Sequence, residues 1–163
     1  MLDPKAQATL TALEELFDSE YAINRERPPD RGPAMGRYAR DVYFGGNPWY
    51  LATLAAAEFY YKLAIALLYG AEMAATDENV RFRRRLVAPD GAQESPAFAA
   101  AAFEHGDMFM RTVRAFTPAS GDLSEQIDRT TGAQTSAKHL AWSYAAFITA
   151  TTSRRQAARA MRG

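Results

Sequence analysis

The stretch GRYARDVYFGGNPWY is dense in residues that can bind a polar ligand. It holds Arg37, Asp41, Tyr43 and Trp49 within a short span. Arginine and aspartate grip hydroxyl groups through directed hydrogen bonds, and aromatic rings offer flat apolar faces with a polar edge. This mixture suits a ligand that has apolar C–H faces and hydroxyl groups around its edge, as a sugar does.

A second stretch, GDLSEQIDRTTGAQTSAKHLAWSYAAF, opens as a polar loop and closes as a helix. It places Glu125 and Asp128 ahead of Trp142. The glutamate is either a solvated surface charge or a base that activates a water. Residue types alone favour the solvated charge, because glutamates are mostly exposed. Residue types also favour an ion pair between Arg37 and Asp41 that orders the loop, and they favour a position in the core for both tryptophans.

Composition excludes several classes of protein. The 163 residues fit one domain or part of a larger one, and the 19 basic residues balance the 19 acidic ones. This balance argues against a general nucleic-acid or acidic-membrane binder. With no cysteine and only His105 and His139, we expect no disulfide, no metal site and no cofactor. The apolar run 49–68 carries Glu58 and Lys62, which indicates a buried helix of a soluble protein.

The elements that must position these residues are helices. Each of the four main ones has a start signal, and no strand alternation persists, so the sequence predicts an all-α fold. A further short helix fits Asp77 to Leu86. The first predicted helix begins at Asp3-Pro4 and fades near Asn24, and the second begins at Asn47-Pro48 and reaches about Leu68. The third begins at Ser95-Pro96 and reaches about Phe116, and the fourth begins between Ser136 and Lys138 and ends in a basic tail.

The segments that precede these helices are where we expect function, because loops carry most binding and catalytic residues. Two of them, residues 25–47 and 117–137, hold the stretches described above. The first begins with RERPPDRGPAMG, which is rich in proline and glycine and favours an irregular linker.

Four stretches carry a family resemblance. The stretches are ATLTALEELFDSEYAIN, GRYARDVYFGGNPWYLATLAAAEFYYKLA, GDMFMRTVRAF and GDLSEQIDRTTGAQTSAKHLAWSYAAFITA. Together they span most of residues 4–152. In order and spacing they resemble the closing part of the catalytic domain of the glucoamylases (glucan 1,4-alpha-glucosidases), the glycoside hydrolases of family 15.

The resemblance implies a fold, a reaction and a location. The fold is a partial (α/α)6 barrel of the six-hairpin glycosidase type, with residues 1–163 forming the C-terminal, closing helices. The reaction is release of glucose, with inversion, from the non-reducing ends of α-1,4-glucans such as starch and maltooligosaccharides. The family also implies secretion, although the N-terminus MLDPKAQATL has no signal-peptide pattern.

The resemblance also implies roles for particular residues. The general base of the family falls on Glu125, and the sugar-contacting arginine falls on Arg37. The residues that line or support the sugar pocket fall on Asp41, Tyr43, Trp49 and Trp142.

The chain departs from the family pattern in three ways. Ala39-Arg40 replaces the usual Pro-Glu, and Lys138-His139 replaces Arg-Asp, which predicts a looser site loop and a lost ion pair. The motif that bears the general acid does not occur. We therefore expect the isolated chain to be inactive, and the alternative function is a truncated helical module that retains a carbohydrate-binding wall. A partial barrel leaves apolar helix faces uncovered, so we expect the chain to pair with a complementary N-terminal half or to associate with itself.

Overall fold

A computed structural model describes residues 1–86 and 95–162, and helices account for most of them. The predicted all-α class is therefore confirmed. The two-residue strands, which the sequence did not predict, form one antiparallel hairpin that pairs Gln126 with Thr135. The elements are α1 (Pro4–Glu20), α2 (Ala22–Arg25), a 3₁₀ turn (Tyr43–Gly45), α3 (Tyr50–Leu68), α4 (Val80–Arg85), α5 (Ser95–Ala115), β1 (Gln126–Ile127), β2 (Gln134–Thr135) and α6 (Ala141–Ala160).

Helix α3 is the centre of the fold, with α5 and α6 packed against it. Among the described residues it is also the one helix long and apolar enough to cross a membrane. Tyr50, Tyr60, Tyr61 and Leu63 on α3 are fully buried within the protein. Buried core helices meet the same length and composition criteria as membrane spans, and α3 packs as a core helix here.

The starts of α1 and α5 agree with those predicted, at Asp3-Pro4 and Ser95-Pro96, whereas the starts of α3 and α6 differ. Asp3 caps α1 as predicted, because its carboxylate accepts a hydrogen bond from the amide of Lys5 at 2.7 Å. The predicted cap at Asn47 is wrong: α3 begins at Tyr50, and the Asn47 amide bonds other loops instead. Helix α6 begins at Ala141, later than predicted. Ser136 and His139 have positive φ angles of 64° and 53°, which no right-handed helix accommodates.

Helix α4 is joined to α1 by ion pairs. Arg85 donates to the buried carboxylate of Glu14 at 2.5 Å, and Arg81 pairs with Glu15. The hydroxyl of Tyr60 on α3 donates to the other Glu14 oxygen at 2.6 Å. The arginine-rich segment 81–85 is therefore partly engaged in holding the fold together.

Candidate active site

Arg37 and its neighbours form the densest cluster of site residues. The guanidinium donates two hydrogen bonds to the Asp41 carboxylate, at 2.7 and 2.8 Å. Its carbon lies 4.6 Å from the ring centre of Tyr43 and 5.0 Å from that of Trp49. These contacts are cation–π interactions, which favour a fixed guanidinium above the rings. The structure therefore brings these four predicted site residues together.

Asp41 is held as an anion in this cluster. Hydrogen bonding from Arg37, assisted by the amide of Tyr43, lowers the pKa of the Asp41 carboxyl to about 2. Its side chain is almost completely buried beneath Arg37. A carboxyl group in this state stays ionised at neutral pH, so Asp41 positions the arginine and does not deliver a proton.

Close backbone approaches explain two glycines in this loop. A Cβ at Gly36 would lie 1.9 Å from the Tyr21 hydroxyl, and one at Gly46 would lie 1.7 Å from the Asp41 carbonyl oxygen. Gly46 also has a φ of 63°, which other residues rarely adopt. Glycine at position 46 therefore lets the loop close around Asp41, and glycine at position 36 lets the chain pass close to the rings of Tyr21 and Phe17.

The two site loops are joined to each other at the start of α3. The amide of Ile127 donates to the carbonyl of Pro48 at 2.9 Å, and the amide of Tyr50 donates to that of Glu125 at 3.3 Å. The Asn47 side chain donates to the Gln126 side chain at 3.1 Å. Residues far apart in the chain thus meet as neighbouring segments of backbone.

Glu125 occupies a half-buried position on this shared segment. Its carboxylate accepts a hydrogen bond from the hydroxyl of Ser136, and its backbone amide donates to the carbonyl of Ala137 at 2.8 Å. The hydroxyl of Ser143, in the first turn of α6, donates to the carbonyl of Ser124 at 2.7 Å. Glu125 is therefore held between α3 and α6, and is not a freely solvated charge.

Asp128, by contrast, closes the hairpin turn. Its carboxylate accepts hydrogen bonds from the amides of Thr131 and Thr130, at 2.7 and 3.0 Å. These bonds lower the pKa of the Asp128 carboxyl below its usual value, the Thr131 amide contributing most. Its role is therefore structural: it fixes the loop that follows Glu125 and Gln126.

Trp49 and Trp142 differ in environment. Trp49 is only 6% exposed, as a core residue would be, whereas Trp142 is 64% exposed and does not belong to the core. Trp142 borders a hollow of about 320 Å³ together with Leu51 and Ala55 of α3. Its indole ring therefore presents an open apolar face beside the first turns of α3.

Two buried donors at the site have no hydrogen-bond partner among the described residues. They are the indole nitrogen of Trp49 and the side-chain nitrogen of Gln126. Trp49 and Gln126 face each other across an isolated β-bridge. Leaving a buried donor without a partner is costly. Within residues 1–86 and 95–162, no group of three or more acidic or histidine side chains is placed to hold a metal.

Sequence reasoning missed three residues that build this site. Ser136 binds the Glu125 carboxylate, Asn47 joins the loops, and Arg129 donates to the carbonyl of Gly46 at 3.3 Å and to Glu20 at 2.9 Å. Serine and asparagine are common in any loop, so nothing local distinguishes them. Only their partners, distant along the chain, identify their roles.

Comparisons with known proteins agree on one family. The family model described as glycosyl hydrolases family 15 matches residues 2–152. Glucoamylase P of Amorphotheca resinae is 40% identical over 153 residues, covering 87% of this chain and 24% of that protein. A glucoamylase of Neurospora crassa is 39% identical over 141 residues, covering 82% of this chain and 22% of that protein. The chain thus spans about a quarter of the length of the curated relatives that it matches.

Solved structures agree with these sequence matches. The family 15 glucoamylase from Hypocrea jecorina superposes with a TM-score of 0.83 at 35% identity, covering 94% of this chain and 27% of that one. The glucoamylase from Saccharomycopsis fibuligera also gives a TM-score of 0.83, at 29% identity, covering 93% of this chain and 35% of that one. These superpositions confirm the predicted fold, a helical portion of the (α/α)6 barrel.

Proposed function

The chain belongs to glycosyl hydrolases family 15, and on that premise we propose that it supplies the base-bearing wall of a glucoamylase active site. The substrate would be an α-1,4-glucan such as starch or a maltooligosaccharide, cleaved with inversion to release glucose. The site-bearing segments are residues 25–47 and 117–137 of what would be the C-terminal portion of the catalytic domain. Secretion, which the family resemblance implies, belongs to the same proposal.

Glu125 is the general base in this proposal. An inverting glycosidase needs a carboxylate that activates a water on one face of the sugar, about 6.5–9.5 Å from the general acid. The observation that carries the assignment is the half-buried position of Glu125, with its carboxylate bound by Ser136 and its backbone joined to Tyr50. A base held in this way is already oriented before substrate arrives, which lowers the cost of reaching the reactive geometry.

Arg37, Tyr43, Trp49 and Trp142 form the sugar-binding wall in this proposal, with Asp41 supporting Arg37. The guanidinium is fixed by Asp41 but keeps a third of its side-chain surface exposed, so it can donate to a sugar hydroxyl. The exposed face of Trp142 suits the CH face of a pyranose ring.

Asp41 and Asp128, which lie beside the proposed site residues in the chain, are unsuited to be the general acid. A general acid must hold its proton near neutral pH, which requires a raised pKa. The pKa values of Asp41 and Asp128 are both lowered by hydrogen bonds to their ionised forms. This favours the view that the acid comes from another part of the domain. It also supports the second candidate, a module without activity that retains the sugar-binding wall.

The test is reconstitution of the enzyme. Residues 1–163 would replace the matched segment of Glucoamylase P from Amorphotheca resinae in a single-chain chimera, and glucose release from maltose would be measured. We expect the chimera to release glucose and the Glu125→Gln variant to lose at least about 10²-fold in kcat, the scale of general base catalysis. Glu78→Gln, which changes an exposed glutamate outside both site-bearing segments, is the matched control and should retain most activity.

Two results would decide between the candidates. If Glu125→Gln turns over maltose at the rate of the unmodified chimera, the base assignment is wrong. If the unmodified chimera binds maltooligosaccharide but releases no glucose, the second candidate, a binding module, is favoured.

A further inference from the structure

Leu123, two residues before the proposed base, is bound on both sides of its backbone by the start of α6. Its carbonyl accepts a hydrogen bond from the amide of Leu140 at 3.2 Å, and its amide donates to the hydroxyl of Tyr144 at 3.1 Å. The Leu123 side chain is buried. The backbone that leads to Glu125 is therefore fixed to α6 by one main-chain contact and one side-chain contact.

Tyr144 is well placed to hold this backbone. It lies in the first turn of α6 (Ala141–Ala160), so its phenol is carried by a long helix and not by a loop. The ring is half-buried, and a tyrosine side chain has only two rotatable bonds to restrain. A group on a regular element holds its partner in place more rigidly than a group on a loop.

The Tyr144 hydroxyl also contacts His139. A hydroxyl has one hydrogen to donate and can accept two, and this one already accepts from the Leu123 amide. The Nδ1 atom of His139 lies 3.3 Å from the same oxygen, and it accepts the Tyr144 hydrogen in the tautomer that is protonated on Nε2. Donation to His139 fixes the rotation of the hydroxyl, which leaves its lone pairs directed toward Leu123.

The other flank of this segment is open. A groove of about 810 Å³ between α5 and α6 is lined by Gly121, Leu123 and Tyr144. In the described part of the chain, side chains do not fill this side of the segment. Its position therefore depends more on hydrogen bonds, and the bond to Tyr144 lies at the edge of the groove.

We propose that Tyr144, with its hydroxyl oriented by His139, is a positioning residue for Glu125. This inference rests on the assignment of Glu125 as the general base, and it adds a residue that keeps the base in place. Tyr144 acts on the backbone that leads to the base, whereas Ser136 binds the carboxylate itself. A displacement of about 1 Å in a reacting group can cost about 10²-fold in rate, so loss of one of several contacts should cost less.

The first test is Tyr144→Phe in the single-chain chimera, because this variant removes the hydroxyl and keeps the ring. With maltose as substrate, kcat should fall about three- to tenfold with little change in KM, since one hydrogen bond that orients the base is lost. Tyr69→Phe changes a tyrosine that is 80% exposed at the end of α3, and it should leave both constants unchanged. An unchanged kcat for Tyr144→Phe, or a rise in KM alone, would overturn the proposal.

A second comparison separates positioning from a general loss of structure. In the Glu125→Gln background no base remains to be oriented, so Tyr144→Phe should lower the residual kcat by less than about twofold. An equal loss in both backgrounds would rule out a role through Glu125.

The role of His139 is tested by His139→Gly. Its φ is 53°, which glycine adopts without strain, so the imidazole is removed without forcing the backbone. We expect kcat to fall about two- to fivefold. The double variant with Tyr144→Phe should lose no more than Tyr144→Phe alone, because the imidazole acts through the hydroxyl. Fully additive losses would contradict this orienting role.

Hydrogen exchange at the Leu123 amide gives a measurement that needs no turnover. In the chimera, Tyr144→Phe should speed exchange of this amide about three- to tenfold, and Tyr69→Phe should not. Unchanged exchange in Tyr144→Phe would show that the hydroxyl does not hold the segment.

Failure of this inference and failure of the proposed function give different results. A chimera that releases no glucose but shows faster exchange in Tyr144→Phe would count against the enzyme proposal and leave the contact at Leu123 standing. A chimera that depends on Glu125 for turnover but is unaffected by Tyr144→Phe would do the reverse.

Discussion

Arg37 has two kinds of partner: a carboxylate that it binds with two nitrogens, and aromatic rings that lie against its guanidinium. Arginine alone among the cations has the planar fork that satisfies both at once. The family's proline and glutamate at positions 39 and 40 are absent, which predicted a looser loop. In the structure Asp41 and Gly46 hold this loop by direct contacts.

Ser136 illustrates a positioning residue, because it binds the proposed base and not the sugar. In the active chimera, Ser136→Ala should lower kcat about tenfold with little change in KM. The reason is that a hydrogen bond to a charged group contributes about 1.5–3 kcal/mol to fixing that group. Steady-state kinetics on maltose would measure both constants.

The matched control is Ser120→Ala. Ser120 is an exposed serine on the same loop, and its hydroxyl donates to the Asp122 carboxylate. It should leave kcat unchanged. A rise in KM without any loss of kcat in Ser136→Ala would contradict a positioning role and point to substrate binding instead.

Asp41 should make stability depend on acid pH. Its pKa in the fold is about 2, below the 3.8 of an ordinary aspartate. Since the folded value is depressed, the stabilisation is present above about pH 4 and is lost as the pH falls toward 2. Between pH 4 and 2 the urea midpoint of the unmodified chain should therefore fall more steeply than that of Asp41→Asn.

The control for this titration is Asp77→Asn, which alters an exposed aspartate outside the site loops. Its urea midpoint should follow that of the unmodified chain over the same range. Parallel curves for Asp41→Asn and the unmodified chain would show that the Arg37–Asp41 pair contributes nothing to stability.

At the scale of elements, short polar segments position the site, and the long helices position those segments. The hairpin β1–β2 is too small to be stable alone, but Asp128 closes its turn and Pro48 and Asn47 bind its edge. The same applies to α4, whose six residues are held by ion pairs to α1. Each short element is therefore only as stable as its tertiary contacts.

The ion pair between α4 and α1 can be tested by Arg85→Met. Glu14 is buried and its pKa is already raised by burial, so loss of Arg85 leaves a carboxylate without its cation. Unfolding in urea should show a destabilisation of about 3–5 kcal/mol at neutral pH. The loss should shrink in acid, where Glu14 can take up a proton.

Arg84→Met is the natural comparison, because Arg84 is the exposed neighbour on the same helix. A surface change of this kind should shift stability by about 0.5 kcal/mol or less. Equal losses for the two variants would mean that the arginines act only through the charge of the segment.

At the scale of the whole molecule, apolar side chains remain uncovered. Trp142 and Ile148 are 64% and 63% exposed on α6, and Val42 is exposed on the first site loop. An uncovered helix face forfeits several kcal/mol of burial at about 25 cal/mol per Å². This is a large share of the roughly 5–15 kcal/mol that stabilises an ordinary domain.

The chain alone should therefore associate with itself. Sedimentation at rising concentration should show species heavier than the 18.0 kDa monomer. Ile148→Lys should reduce this association, because it places a charge on the uncovered face of α6. Arg155→Lys, a charge-conserving change at another exposed position of α6, should not. A sharp, reversible thermal melt of a purely monomeric chain would contradict this expectation.

Much of the fold and part of the site could be predicted from sequence. The stretches around Arg37 and Glu125 are specific enough to identify the family, and the α1 cap at Asp3 follows from local chemistry. Asn47 was misassigned as a helix cap because its side chain has a better partner in Gln126, which lies on the distant second loop. Local propensity cannot weigh a contact between loops so far apart in the chain.

The sequence by itself determined the helical class, the family and the residue types that could bind a sugar, because these depend on periodicity and motifs that are local along the chain. Only the tertiary structure decided that Ser136 binds Glu125, that Trp49 is buried while Trp142 is open, and that α5 and α6 leave a groove between them. Those properties depend on which surfaces meet, and the packing around α3 sets them.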